Sequence, residues 1–414
     1  MTEEIKQRID TIKSGKVPDG YKRTAAGIVP SEWQERCLSD LLRFQNGVNA
    51  DKEKFSTGVK MISVMDILDG RPITYDKIRG QVDIDEKALN NYSVTYGDIL
   101  FQRSSETIED AGKSNVFLDR NKTATYSGFV IRGKKISDYD PVYLNELLKT
   151  YGVRQQIIKY AAGSQHINVS QDSLSRVRIC LANEQEQERI AAVLSKWNKA
   201  IELQELLIEK LELQKKALMQ KLLKPQKEWS KTKLEAILTE GSKDAVKDTS
   251  FYKKITIKLN FNGIEYTETK RKMADTRPFF LRKAGEIIIG KQNYFNGSIA
   301  LLDSRFDGCI CSNAIMSFSV KKMCDSYFLF KYLSQPNFIN KYSNLANGTG
   351  QKELSEKDFL KFEVSLPPLE TQRYIGETLR KFDNYADYQR QMLDKFKQQQ
   401  KAMQQLLLTG IVRV

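Results

Sequence analysis

Arginine, glutamine, asparagine and lysine can form direct or bidentate contacts with nucleic-acid base edges, and serine and lysine also suit phosphates. Two short stretches of this 414-residue chain place such side chains directly after an apolar run. Gln102, Arg103, Ser104 and Ser105 follow Gly97-Asp98-Ile99-Leu100, and Lys291, Gln292, Asn293 and Tyr294 follow Gly285-Glu286-Ile287-Ile288. Each apolar run reads as a strand opened by a turn glycine and an acid, with a polar tip beyond it. A second pair of loops has a related character: Tyr160, Gly163, Ser164, Gln165 and His166 in one, and Asn347, Gly348, Thr349, Gly350, Gln351 and Lys352 in the other. Glycine lets backbone amides approach a phosphate closely, and a neighbouring glutamine can reach a base. Ordinary solvated loops have much the same composition, so these residues are candidates for base or phosphate contact.

Other chemistries lack their residues. Gly112-Lys113-Ser114 has no upstream glycine to complete a P-loop, and no GxSxG, HExxH or zinc-deaminase pattern occurs. Leu366-Pro367-Pro368-Leu369 lacks the Asn or Asp that precedes the Pro-Pro of an adenine methyltransferase motif. Five cysteines form no CxxC pair, and the single histidine, His166, leaves zinc short of partners. Cys309 and Cys311 sit two apart in an apolar run, where a strand buries both as small hydrophobes. The sequence therefore predicts no catalytic residue, no metal site and a reducing, cytoplasmic setting. No run of about 18 apolar residues is present to span a membrane. Lys plus Arg exceed Asp plus Glu by 66 to 52, a formal charge of +14 that favours a polyanionic partner without separating DNA, RNA and an anionic membrane.

The elements that position the candidate loops occur twice. Residues 163–223 lie on residues 348–408 at a constant offset of 185, matching Ser170 with Ser355, Leu181 with Leu366, Gln187 with Gln372, Ile190 with Ile375 and Leu194 with Leu379. The front of each module repeats at an offset of 196, pairing Trp33, Leu38 and Leu42 with Trp229, Leu234 and Leu238. Between these anchors lie inserts that differ in length and sequence, roughly residues 47–160 and 241–346, each rich in short β-type runs. Two copies of one module imply pseudo-two-fold symmetry. A shared frame with unlike inserts suits two readers of two targets, although duplication followed by drift leaves the same trace.

Each module ends in a long helical pattern whose apolar positions alternate four and three residues apart, a heptad seam. The first seam is Ile190, Leu194, Trp197, Ile201, Gln204, Ile208, Leu211, Lys215, Leu218 and Leu222. The second is Ile375, Leu379, Phe382, Ala386, Gln389, Leu393, Phe396, Gln400, Met403 and Leu407. Both are polar at the same two places, where a side chain either fixes register in a packed seam or faces water. Pro225 and Gly410 stop the two helices. The expected divisions are an N-terminal amphipathic helix (1–20), a first α/β domain (21–183), a central helical region (184–224), a second α/β domain (225–367) and a C-terminal helical region (368–414). Ile5, Ile9 and Ile12 give the first of these an apolar stripe that either docks beside the C-terminal helix or frays.

In Gly20-Tyr21-Lys22-Arg23-Thr24, Gly27-Ile28-Val29-Pro30, Trp33, Gly163-Ser164-Gln165, Leu366-Pro367-Pro368-Leu369, Gln372, Ile375 and Leu407-Leu408-Thr409-Gly410, the chain resembles the specificity subunit of type I restriction-modification systems over nearly its whole length. Leu181-Ala182-Asn183-Glu184 departs from the proline-pair pattern and leaves the start of the central helix open. The resemblance implies an α+β fold in which two mixed α/β target recognition domains are separated and joined by two long helices packed as an antiparallel coiled coil. It implies a non-catalytic subunit whose domains each read half of a bipartite double-stranded DNA site. The helices would set the half-site spacing and recruit two methyltransferase subunits and, through them, restriction and translocase subunits. S-adenosylmethionine, ATP and Mg would then belong to those partners, with no cofactor in this chain. Two other readings stay open from the residues: a cytosolic coiled-coil scaffold with two protein-binding inserts, and a nuclease using carboxylates such as Asp83, Asp85 and Glu86.

Overall fold

The computed structural model describes residues 2–49, 55–163, 165–267, 277–343 and 353–414. The chain forms two compact units, Met1–Glu205 with Met392–Val414, and Leu206–Gln391. Each of the two long helices, Glu184–Leu222 and Leu369–Leu408, supplies one stretch to each unit.

Each unit is organised by one strand buried on both faces. In the first, Ile99–Gln102 lies inside a four-stranded antiparallel sheet of spatial order Leu42–Asn46, Val130–Lys135, Ile99–Gln102, Ser114–Val116. Successive side chains of a strand point to opposite faces. Ile99 and Phe101 therefore enter the core beneath Pro141–Leu147, Tyr151–Tyr160 and Gln171–Ser175, while Leu100 enters a second core with Ile62, Ile67 and Tyr126. The second unit repeats this with Leu238–Glu240, Ile315–Val320, Ile287–Gly290 and Ile299–Leu301, where Ile287 and Ile289 face one core and Ile288 the other. Burial on both sides explains why each strand reads as an unbroken apolar run.

The acid that opens each strand holds its turn. Asp98 accepts from the backbone N–H of Thr95 at 3.0 Å and of Lys135 at 2.9 Å, and Glu286 accepts from the N–H of Lys283 at 3.2 Å and the hydroxyl of Ser317 at 2.7 Å. Burial pushes the Asp98 carboxyl up, opposed by those two N–H bonds and by Arg132.

The repeated residues are the joints of the frame. Gln34–Cys37 pairs with Arg178–Leu181, and Ser230–Lys233 with Glu363–Leu366, so one small ladder ties the front of each module to its back. Ser170 and Ser355 cap equivalent short helices through the N–H of Ser173 and Asp358. Buried Gln187 accepts from the Asp140 N–H at 3.1 Å and donates to the Ala182 carbonyl at 2.8 Å; Gln372 does the same with Asp325 at 3.0 Å and Pro367 at 2.8 Å. The central helix begins at Glu184, capped by the Asn183 side chain on the Glu186 N–H at 2.9 Å, so the loss of the proline pair does not displace its start.

The long helices pack against each other, running antiparallel within each unit. In the first, Trp197 meets Phe396 edge-on at 6.2 Å and Lys397 pairs with Glu205 at 2.7 Å. In the second, Glu212 pairs with Arg390 and Lys215 with Asp383. All ten positions of each heptad series are buried or half-buried. At its start the chain forms the helix Glu3–Lys13, which buries no residue; its Arg8 donates to the Ile411 carbonyl. Arg413 clamps Glu186 and Glu32, and Glu186 also accepts the Trp33 indole N–H at 3.1 Å.

One cross-helix pair occurs twice with different chemistry. Asn198 meets Gln400 in the first unit, and the residues 185 further and 185 earlier, Asp383 and Lys215, meet in the second. Asp383 also holds Lys331 at 2.6 Å and the Tyr327 hydroxyl. Burial pushes the Asp383 carboxyl up, but Lys331, Lys215 and Tyr327 outweigh it and hold the group below the usual aspartate range. Burial pushes the Lys331 ammonium down, against the pull of Asp383, and the neighbouring Lys215 charge adds to the lowering. A carboxyl whose folded pKa is depressed contributes stability above its unfolded pKa of ~3.9 and loses it as pH falls through the folded value. Asp383→Asn is expected to cost about 3 kcal/mol at neutral pH, since it removes the carboxylate that the largely buried Lys331 ammonium pairs with, while Lys215 keeps Glu212 at 3.8 Å. Thermal unfolding of both proteins checks this: the gap should close on acidification below the usual aspartate range, and a gap independent of pH would refute the assignment.

Candidate nucleic-acid interface

In the first unit the fold brings the two candidate loops together. The chain leaves Ile99–Gln102 and forms the short strand Ser104–Ser105, which pairs antiparallel with Ile167–Asn168 from the second loop. The Ser104 hydroxyl bonds the Asn168 side chain, and the Val169 N–H donates to the Arg103 carbonyl at 2.9 Å. A third segment completes the cluster: the Arg103 N–H donates to the Phe129 carbonyl at 2.9 Å and its guanidinium to the Gly128 carbonyl at 3.2 Å. In the second unit, the Lys291 N–H donates to the Ala314 carbonyl at 3.0 Å and the Leu354 N–H to the Lys291 carbonyl at 2.9 Å. Lys291 and Ala314 thus stand where Arg103 and Phe129 stand.

The candidate residues divide by exposure. Gln165, His166 and Gln292 are exposed, and Arg103, Ser104, Lys291 and Asn293 are partly so. Three others are corrected. Gln102 is buried at the end of its strand, with its amide N–H on the Ser104 carbonyl at 2.9 Å, and Ser105 is buried with its hydroxyl on the Thr107 carbonyl at 2.8 Å. Tyr294 is a core residue at 0% exposure: it packs edge-on against Phe359 and donates its hydroxyl to the Leu333 carbonyl at 3.0 Å, and burial pushes its phenol up. Its place in a polar stretch suggests an exposed tip, but a helix-end carbonyl satisfies its hydroxyl within the core.

Gly163 has φ of +133°, and a Cβ there would lie 2.0 Å from the His166 carbonyl oxygen, so glycine is required by the tight turn itself. Paired hydrogen bonds between Ala162 and Asn168 close this hairpin. Ser164, Gly348, Thr349, Gln351 and Lys352 lie outside the described residues.

Several nearby charges are internally engaged. Arg154 donates to the carbonyls of Glu109, Ala111 and Gly112, and burial pushes its guanidinium down. Lys113 pairs with Asp110 at 2.5 Å, and Lys291 lies 3.8 Å from Glu356, which also binds Lys243 at 2.6 Å. Among the described residues no group of three or more His, Cys, Asp or Glu side chains is placed to hold a metal ion. Of the carboxylates raised as metal ligands, Asp85 caps the helix Glu86–Asn91 through the Ala88 N–H at 2.6 Å. No described helix is long and apolar enough to cross a membrane. Sequence reading missed Phe129. Its signal was the Ser127-Gly128-Phe129 turn, which meets Ser312-Asn313-Ala314 at the same offset of 185 that relates the frames.

Two copies of the type I restriction modification DNA specificity domain match this chain, over residues 30–213 and 226–398. The chain belongs to that family of DNA sequence-recognition subunits. Two relatives from Methanocaldococcus jannaschii are similar end to end. A chain named as the type I restriction enzyme MjaX specificity subunit is 26% identical, covering 96% of this chain and 97% of its own length. The type I restriction enzyme MjaVIII specificity subunit is 23% identical, covering 96% of each. The fold is similar to the crystal structure of the S subunit from M. genitalium, with a TM-score of 0.59 at 15% identity over 91% of this chain and 96% of that one. It is also similar to a chain from a study of complex assembly and conformational transition of the type I system, with a TM-score of 0.53 at 13% identity over 93% and 99%.

Proposed function

We propose that each unit reads one half of a bipartite DNA site through the cluster at the end of its doubly buried strand. The two long helices would set the number of unread base pairs between the halves. One observation carries this reading: both units have the same sheet order, the same helix caps and the same backbone bonds behind the tip, yet present Arg103, Ser104 and Phe129 in one and Lys291, Gln292 and Ala314 in the other. An identical platform with different tips suits two different base sequences.

The same reading gives this chain no chemistry of its own. Two methyltransferase subunits would dock on the helices, bringing S-adenosylmethionine, and restriction and translocase subunits would join through them with ATP and Mg, in the cytoplasm. Leu206, Leu207 and Leu213, exposed on the central helix, together with Tyr385 and Tyr388 on the C-terminal helix, offer apolar surface for a helical partner.

Co-expression with the neighbouring methyltransferase gene in a methylation-free host, read by single-molecule methylome sequencing, is expected to reveal an adenine motif of two halves that requires both proteins. New methylation without a bipartite motif would end this reading. One heptad inserted at matched seam positions of both helices lengthens each by about 10 Å and is expected to widen the spacer by roughly three base pairs. An unchanged spacer in the methylated motif would show that the helices are not the ruler.

A further inference from the structure

Phe129 is 66% exposed, although both of its neighbours, Gly128 and Val130, are buried. An isolated exposed apolar side chain is ordinary on a protein surface; this one differs in how firmly its backbone is held. The Val130 N–H closes a turn onto the Ser127 carbonyl at 2.9 Å, and Arg103 binds the carbonyls of both Gly128 and Phe129. The Val48 N–H donates to Tyr126 at 2.9 Å on one side, and the strand Val130–Lys135 runs into the sheet on the other. The ring is therefore presented from a fixed turn, so little backbone freedom remains to be lost when it meets a partner. Arg103, beside it, spends one guanidinium bond on Gly128, and its other N–H groups have no partner among the described residues.

We infer that Phe129 is a specificity-determining residue of the first unit, making the apolar contact with a thymine 5-methyl group in the half-site that this unit reads. The inference rests on the DNA-recognition reading and goes beyond it by naming the residue and the chemical group. The thymine methyl is the one apolar group that base edges offer in the major groove, and phenylalanine is among the side chains suited to it. An arginine next to the ring supplies the hydrogen bonds to the neighbouring base or phosphate that fix the ring over one position. The second unit has Ala314 at the equivalent place, too short to reach as far. The contact belongs to one half-site only.

The experiment compares the wild-type chain with Phe129→Ala and Phe129→Leu, each co-expressed with the methyltransferase. The motif is read by methylome sequencing, and affinity is then measured on duplexes carrying that motif. Phe129→Ala is expected to relax one thymine position in one half-site and to leave the other half-site unchanged, an internal control for folding within the same molecule. Phe129→Leu retains the preference. Replacing that thymine by deoxyuridine is expected to weaken wild-type binding about tenfold, as for a mismatched pair at the low end of its usual cost, and to leave the alanine variant unaffected. An unrelaxed motif for Phe129→Ala, or a loss spread equally over both half-sites, would overturn the assignment. Failure of the underlying reading looks different, because the wild-type chain itself would then yield no bipartite motif.

Discussion

In each unit a buried glutamine amide holds the α/β domain to its long helix. Gln187 and Gln372 each stand on the first turn of a long helix and bind, with one side chain, the carbonyl that ends the frame strand and the N–H that begins the helix beneath the sheet. Three elements, one of them 47 residues away in sequence, are thereby fixed at one point. A buried donor or acceptor left without its partner costs about 1–3 kcal/mol, so neither amide can be exchanged for an apolar side chain without exposing two such groups. The tip strand shares its core with the frame strand and with the helix whose first N–H the glutamine binds.

That dependence explains which parts of the fold were legible. Ser170, Leu181, Gln187 and their counterparts recur at one offset because they are joints, where geometry admits few side chains. The second offset, from Trp33 to Trp229, marks the other strand of the same ladder, and the change of offset measures only the insert between. Inserts were legible as β-rich and no further, because their strands pair across long separations, as Leu42–Asn46 does with Val130–Lys135. Tyr294 reads as a tip residue by position and is a core residue by contact. Only knowledge of the Leu333 carbonyl opposite its hydroxyl would have reassigned it. Phe129 was easy to overlook for the converse reason: an apolar residue beside glycine reads as core unless the turn that exposes it is recognised.

The formal charge of +14 also looks different once pairs are resolved. Near the candidate interface Lys113, Lys291 and Arg154 are tied to carboxylates or carbonyls, so a count of basic residues overstates what is available to a phosphate. Exposed pairs of this kind contribute little stability and exchange readily, so Lys113 can release Asp110 for an incoming phosphate at small cost. Arg154 cannot, because its donors are engaged by three loop carbonyls, those of Glu109, Ala111 and Gly112. Arg154 thus shapes the loop, while Lys113 is held only by an exposed pair.

Because both long helices derive from one repeat, each could in principle pair with a copy of itself as well as with the other. Lys215 and Gln400 of the seams, with the residues they meet, oppose this. In the observed pairing Asn198 meets Gln400, amide to amide, and Asp383 meets Lys215, opposite charges joined. Self-pairing of the C-terminal helix in the same antiparallel register would set Asp383 against Gln400, and self-pairing of the central helix would set Lys215 against Asn198. Each mismatch strands a partly buried charge against a neutral amide, and removing one partner of a buried pair costs about 3–5 kcal/mol. The apolar positions, similar in both seams, would accept either arrangement. The duplicated helices are therefore told apart by one facing pair that diverged in charge while the apolar seam beside it kept its shape.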